Sequence, residues 1–225
     1  MCGIFGYIGF RRLGPIILEG LKRLEYRGYD SAGVAYISSS LHVIKDSGKI
    51  DEINEKFNLA SIEGMLGISH TRWATHGAVT RENAHPHLSC DGRIAVVHNG
   101  IIENYIRLKN ELASRGHKFR SETDTEVIPH LIEESYRRSG DPLSAIFDAV
   151  SKLDGSFAFL AILEDHPDKI FAVRYKSPLV IGLSEGETFV ASDVPAFLKY
   201  TNRVIFLDDM EVAVISRDSV EVFNA

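Results

Sequence analysis

An α+β fold, with sheets packed on each other and helices outside, is what the order of segments in this chain predicts. Two observations carry that expectation. Strand-like runs lie at both ends, with helical patterns between them. No repeat, low-complexity tract or linker interrupts the 225 residues, of which 44% are hydrophobic, so a sizeable shared core can form.

The stretch that organises the rest is Met1-Cys-Gly-Ile-Phe-Gly-Tyr-Ile-Gly9. Ile4, Phe5, Tyr7 and Ile8 read as a buried strand, and Gly3, Gly6 and Gly9 let another backbone or a ligand come close. The terminus is therefore expected in a sheet, with Cys2 at its first position. Gly14-Pro15 then precedes a helix to about Glu25, with Ile17, Leu18, Leu21 and Leu24 at helical spacing. Val34–Ile37 and Leu41–Lys45 read as strands around the turn Ser38-Ser39-Ser40, followed by a short helix from Lys49 to Phe57. Gly67–His70 reads as a strand end. The segment Thr71–His87 has no periodicity, yet it holds the single tryptophan, as a functional loop would. Arg93–His98 is another strand. Asn99-Gly100 after it reads, by itself, as a tight turn.

A helix closed by Gly116 is expected to end near Arg115. Ser121-Glu-Thr-Asp-Thr-Glu126 reads as capping chemistry before a helix to about Arg138, and Asp141-Pro142 as the start of another. From Ser156 onward short strands follow at Phe157–Leu163, Lys169–Arg174, Leu179–Leu183, Thr188–Ala191, Arg203–Phe206, Glu211–Ile215 and Val220–Phe223. Pro195–Tyr200 is expected to add one helical turn.

Composition excludes several classes. A net charge of −6 offers no basic face for nucleic acid. No apolar run reaches the ~20 residues of a bilayer span, and no signal-peptide pattern opens the chain. Cys2 and Cys90 make neither a disulfide framework nor a CxxC site, so a reduced, cytoplasmic protein fits, and Cys90 in Ser-Cys-Asp-Gly reads as an incidental turn residue. His85, His87 and His98 lack HExxH or a familiar Cys/His spacing, so no metal and no cofactor are expected.

Cys2 carries the chemistry. A residue this small after Met1 allows the methionine to be removed, leaving a thiol and a free α-amine on one residue. With ordinary values near ~8.5 and ~7.7–8.0, the amine can act as general base for its own thiol.

Four ordered segments complete the pattern: Met1-Cys-Gly-Ile-Phe-Gly6, Leu24-Glu-Tyr-Arg-Gly-Tyr-Asp-Ser-Ala-Gly33, His70-Thr-Arg-Trp-Ala-Thr-His-Gly77 and His98-Asn-Gly-Ile-Ile-Glu-Asn104. With Ser121–Glu126 and Ser177-Pro-Leu-Val-Ile-Gly182, they closely resemble the glutaminase domains of the class II glutamine amidotransferases, in the branch of the glutamine–fructose-6-phosphate aminotransferases (isomerising). The resemblance spans essentially the whole chain. It implies one glutaminase domain over residues 1–225, a four-layer αββα sandwich of the N-terminal-nucleophile type, and hydrolysis of L-glutamine to glutamate and ammonia. Carried over residue by residue, Cys2 is the nucleophile, and the Asn99 side chain with the Gly100 N–H forms the oxyanion hole. Arg72 grips the α-carboxylate and Asp124 the α-ammonium, although taken alone an arginine in a loop is more often a surface ion pair and Asp124 also reads as a helix cap. Trp73, Thr75 and His76 lie on a lid over glutamine. Arg27 and Gly28 lie beside the nucleophile and position the N-terminus.

The resemblance further implies a second, sugar-phosphate isomerase half as partner, which these residues do not contain. Three alternatives remain: another class II amidotransferase, as in purine or asparagine synthesis; a glutamine-binding regulatory module without turnover; and an N-terminal-nucleophile acylase or protease acting on another amide.

Overall fold

The computed structural model describes residues 2–74 and 77–225. Sheet A is built from β1 (Gly3–Ile8), β2 (Ser31–Ile37), β3 (Leu41–Ser47), β4 (Leu66–Arg72), β9 (Val180–Ser184), β10 (Glu187–Ala191) and β11 (Val204–Phe206). Sheet B comprises β5 (His87–Leu88), β6 (Ile94–Ile102), β7 (Gly155–Leu163), β8 (Ile170–Tyr175), β12 (Glu211–Ile215) and β13 (Val220–Asn224). The strand order is β11-β9-β10-β1-β4-β2-β3 in sheet A and β13-β12-β8-β7-β6-β5 in sheet B. Helices α1 (Leu13–Leu24) and α2 (Ile50–Phe57) cover sheet A. Helices α3 (Tyr105–Ser114), α4 (Val127–Ser139) and α5 (Pro142–Val150) form the layer over sheet B. The αββα sandwich is thus realised. No helix among the described residues is long and apolar enough to cross a membrane.

The period-2 rule explains the layers. Along β1, Ile4 and Ile8 face sheet B and join Ala95, Val97, Leu160 and Ile162 in the inter-sheet core. Phe5 and Tyr7 face the other way, under Leu13, Ile17, Leu21 and Leu24 of α1. In sheet B, Ile94 and Val96 pack beneath the helices while Ala95 and Val97 face sheet A. Central strands buried on both faces need such apolar runs. Each large side chain so buried contributes about 1.5–3 kcal/mol, enough to hold β1 against the fraying usual at a chain end.

Three local expectations change. Asn99-Gly100 is not a turn: β6 continues through it, pairing Asn99 with Ala158 and Gly100 with Phe157 of β7. Gly100 takes φ +123, and a Cβ there would collide with the Ser156 carbonyl oxygen, so the bend in the strand requires glycine. Thr71 and Arg72 belong to β4 rather than to the loop. Finally, α4 has no side-chain cap. Glu126 instead accepts the N–H groups of Arg120 and Ser121, each at 2.7 Å, and the Ser121 hydroxyl at 2.6 Å, locking the loop ahead of the helix. At α5 the capping expectation holds: Asp141 accepts the Ser144 N–H at 2.7 Å, and Pro142 is the first residue.

Candidate active site around Cys2

The start of β1 lies beside the end of β4, with Gly3 opposite Thr71, so Cys2, one residue ahead of the strand, comes to Arg72 and Trp73. The Trp73 N–H donates to the Cys2 Sγ at 3.2 Å, and the thiol reaches the Trp73 carbonyl at 3.5 Å. Burial pushes the Cys2 thiol above its ordinary value, while the Trp73 N–H and the charge of Arg72 pull the other way. The raised value keeps the thiol protonated at neutral pH, so any nucleophilic role would need a base to take its proton.

Gly28 explains part of the Tyr-Arg-Gly-Tyr-Asp motif. A Cβ at this position would lie 2.7 Å from Arg72 C and Trp73 N, so only glycine lets this backbone lie against the peptide that faces Cys2. Asp30 fixes the same segment from both sides: its N–H donates to the Arg72 carbonyl at 3.0 Å, and its carboxylate accepts the Ala74 N–H at 2.9 Å. Arg27 turns elsewhere. Its guanidinium pairs with Asp193 at 2.7 Å, next to Ser192, which brackets Ile4 of β1 through hydrogen bonds at both N–H and carbonyl. Arg27 therefore bears on the N-terminal strand through Asp193 and Ser192.

Sheet B supplies the opposing wall. The Asn99 Nδ2 donates to the Cys2 carbonyl at 2.9 Å, and the Asn99 Oδ1 lies 3.0 Å from His70 Nε2. The same His70 nitrogen lies 3.0 Å from the His98 carbonyl, which can only accept, so Nε2 carries the proton. Asn99 must then turn its oxygen to His70 and its amide hydrogens to Cys2. His70 is fully buried, and burial lowers it to about 3, so it stays neutral and keeps this orientation.

Arg72 and Asp124 are brought to one place, though by different means. Arg72 is 4% exposed and donates to the carbonyls of Ala78 at 3.2 Å and Gly77 at 3.5 Å. It senses the charges of Cys2, Asp30 and Asp124. Asp124, 7% exposed, caps no helix; its Oδ2 accepts the Ile102 N–H at the end of β6 at 2.7 Å. Trp73 contributes its backbone to Cys2, while its exposed ring packs edge-on against Tyr29 at 5.6 Å. Thr75 and His76 lie outside the described residues.

Sequence reasoning missed His70 and Asp30 as parts of this site. Their signal was available, since both sit inside the motifs that carry Arg72 and Gly28. The loop after residue 76 returns under firm anchorage: Asn83 donates to the Ala78 carbonyl and to Glu122, and Lys45 donates to the carbonyls of Ala84 and Pro86. His85 Nε2 and His98 Nδ1 both reach the Thr125 hydroxyl, at 2.9 and 2.8 Å, and His87 Nε2 reaches the Thr123 hydroxyl at 3.1 Å. A donor set able to hold a metal lies instead at the other end of β6, around Cys90.

A half-buried thiol, a backbone donor, a preset amide and a neighbouring cation and anion suit nucleophilic attack on the amide of a free amino acid. Comparison with known proteins agrees. The family model described as a glutamine amidotransferase domain matches residues 70–199. Glutamine–fructose-6-phosphate aminotransferases [isomerizing] of Thermococcus kodakarensis and Thermus thermophilus are each 56% identical over 223 residues, 99% of this chain. The chain spans only 37% and 36% of their lengths. Among solved structures, glutamine phosphoribosylpyrophosphate amidotransferase from B. subtilis superposes with a TM-score of 0.83 at 29% identity, over 99% of this chain and 49% of that one. A second, described as the allosteric regulatory enzyme of purine biosynthesis, gives 0.86, also at 29% identity and with the same coverage. The chain belongs to the glutamine amidotransferase domain family.

Proposed function

We propose that this chain hydrolyses the side-chain amide of L-glutamine through Cys2, and supplies the ammonia to a sugar-phosphate isomerase half that makes glucosamine 6-phosphate from fructose 6-phosphate. The observation that carries the reading is the meeting of Cys2 with the Asn99 amide, whose orientation His70 presets. The 56% identity to the amino-sugar enzymes supports the choice of acceptor.

Once Met1 is removed, the α-amine of Cys2 takes the thiol proton as sulfur attacks the amide carbon. The negative charge that develops on the amide oxygen is received by the Asn99 Nδ2 and the Gly100 N–H. The amine passes its proton to the departing nitrogen, ammonia leaves, and a γ-glutamyl thioester remains. Water, deprotonated by the same amine, then releases glutamate and restores the thiol. Arg72 holds the α-carboxylate with a two-pronged contact and Asp124 the α-ammonium. Trp73, Thr75 and His76 close over the substrate and keep water out. Reduced thiols at Cys2 and Cys90 suit a cytoplasmic setting.

The test is intact mass before and after 6-diazo-5-oxonorleucine, a glutamine mimic that alkylates such nucleophiles. Loss of Met1 and a single adduct on Cys2, blocked by excess glutamine, is expected. A chain that retains Met1, or that loses it and takes no label, would overturn the mechanism.

A further inference from the structure

At the end of β6 remote from Cys2, three segments far apart in sequence bring four ligand-bearing side chains together. Cys90 comes from the turn between β5 and β6, His117 from the link between α3 and α4, and His130 and Glu133 from one face of α4. The Cys90 Sγ lies 3.6 Å from His117 Nδ1 and 3.5 Å from His130 Nδ1. The two Nδ1 atoms are 3.3 Å apart, and Glu133 Oε2 is 3.3 Å from the first and 3.6 Å from the second.

These are five of the six edges of a tetrahedron, and the sixth, from the Cys90 sulfur to the carboxylate, lies within 4.8 Å. Zinc bonds of about 2.3 Å to sulfur and about 2.05 Å to nitrogen, at tetrahedral angles, require S···N edges of about 3.5–3.6 Å and N···N edges of about 3.3–3.4 Å. A hydrogen-bond network explains the arrangement less well. An imidazole Nδ1 has one in-plane site, for either a proton or a lone pair, and cannot serve three partners at once. Here each Nδ1 has three heteroatoms within 3.6 Å.

The surroundings suit anionic ligands. The Lys118 N–H donates to the Cys90 sulfur at 3.4 Å, and the Cys90 N–H to Glu133 Oε2 at 3.0 Å. Arg137 takes the other oxygen, Oε1, at 2.6 Å, leaving Oε2 to bind in monodentate fashion. Buried His130 Nε2, which has no hydrogen-bond partner, faces Glu126 Oε1 at 3.7 Å. A metal on Nδ1 would fix the proton on Nε2 and draw that carboxylate in, the usual support behind a metal-bound histidine.

We propose that Cys90, His117, His130 and Glu133 form a closed tetrahedral site for a divalent transition metal, with zinc the cation best matched to one thiolate, two imidazoles and one carboxylate. A thiolate and a carboxylate neutralise the ion, and four protein ligands leave no open position, so the site is structural. It staples the β5–β6 turn and the α3–α4 link to α4. This departs from the sequence reading, which expects no metal and treats Cys90 as incidental.

The test loads the metal-free purified chain with zinc or cobalt(II), desalts it, and measures bound metal by plasma mass spectrometry with the cobalt absorption spectrum. One zinc per chain is expected, along with the intense visible bands of tetrahedral cobalt and a thiolate charge-transfer band. Cys90→Ser should abolish the charge-transfer band, whereas Cys2→Ala should keep it. Glu126→Gln, behind the ligands, should weaken binding by roughly 10–100-fold. No retained zinc, the pale spectrum of octahedral cobalt, or a charge-transfer band that follows Cys2 would each overturn the site. The spectrum of the unmodified chain decides even if a variant fails to fold.

Discussion

The two cysteines of this chain are alike in most local respects and differ in what faces them. Each thiol is half-buried, each is pushed up chiefly by burial, and each receives one backbone N–H, from Trp73 or from Lys118. Around Cys2 the polar neighbours are the Trp73 peptide at the sulfur, the Asn99 amide at the Cys2 carbonyl, and the charges of Arg72 and Asp30. In the proposed reaction they leave the sulfur free to form a bond and stabilise charge elsewhere on its partner. Around Cys90 the neighbours are two ring nitrogens, at 3.5 and 3.6 Å, and a carboxylate within 4.8 Å. Such a shell competes for a cation. Neither thiol pKa nor exposure separates the proposed nucleophile from the proposed ligand; the chemistry of the surrounding atoms does.

The strongest way to break this comparison is to remove one thiol at a time. Cys2→Ala should lower glutamine hydrolysis by roughly a million-fold, the scale known for deleting a hydrolase nucleophile. Cys90→Ser should leave kcat for glutamate release within about two-fold. A Cys90→Ser chain that folds but no longer turns over would mean that the two regions are coupled. Glutamate production by Cys2→Ala would remove Cys2 from the chemistry altogether.

Next in size is the donor opposite Cys2. Asn99→Ala deletes one arm of the proposed oxyanion hole and should reduce kcat by roughly 100- to 1,000-fold with little change in KM, because the lost contact strengthens only as charge develops. A rise in KM at unchanged kcat would instead make Asn99 a ground-state contact.

How far the sequence could have taken this comparison depends on the kind of information each region uses. The layers were readable because Ile4, Phe5, Tyr7 and Ile8 need opposite sides of a sheet, and α1 repeats its apolar residues every turn. The residues around Cys2 were readable because they cluster in short ordered motifs. Asn99-Gly100 was ambiguous from the dipeptide alone, since φ +123 serves a bent strand as well as a turn. The capping pattern at Ser121–Glu126 misled because Glu126 found better donors in the backbone of Arg120 and Ser121. The Cys90 cluster was invisible because its ligands have no short spacing beyond His130-Leu-Ile-Glu133. It exists only once α4 has docked on sheet B. Sequence motifs report chemistry kept local in the chain, and tertiary assembly hides the rest.

Histidines extend the contrast to pH. Behind Cys2, burial lowers His70, His85, His87 and His98, opposed at His70 by its hydrogen bonds to Asn99 and the His98 carbonyl. Below about pH 6.5 the unfolded chain takes up protons at these positions while the folded one does not. Stability should therefore fall as pH drops, by about 1.4 kcal/mol per pH unit for His70 alone, until His70 protonates in the fold near about 3. Denaturant midpoints between pH 7 and 4 measure this. His70→Gln should flatten the curve, and an unchanged slope would mean that His70 is already charged in the fold.

The smallest expected effect probes what sets Cys2 apart most finely, the position of one peptide. Gly28→Ala would place a Cβ 2.7 Å from Arg72 C and Trp73 N, against backbone that Asp30 holds on both sides. The peptide must shift by several tenths of an ångström, which costs about 1–3 kcal/mol of stability as overpacking. The same shift moves the Trp73 N–H off the Cys2 sulfur, so kcat and the alkylation rate should fall together by about ten-fold, or ~1.4 kcal/mol. Alkylation that stays fast while the melting temperature drops would make this contact structural only. Joint loss would tie the glycine of the Tyr-Arg-Gly-Tyr-Asp motif directly to the reactivity of the Cys2 thiol.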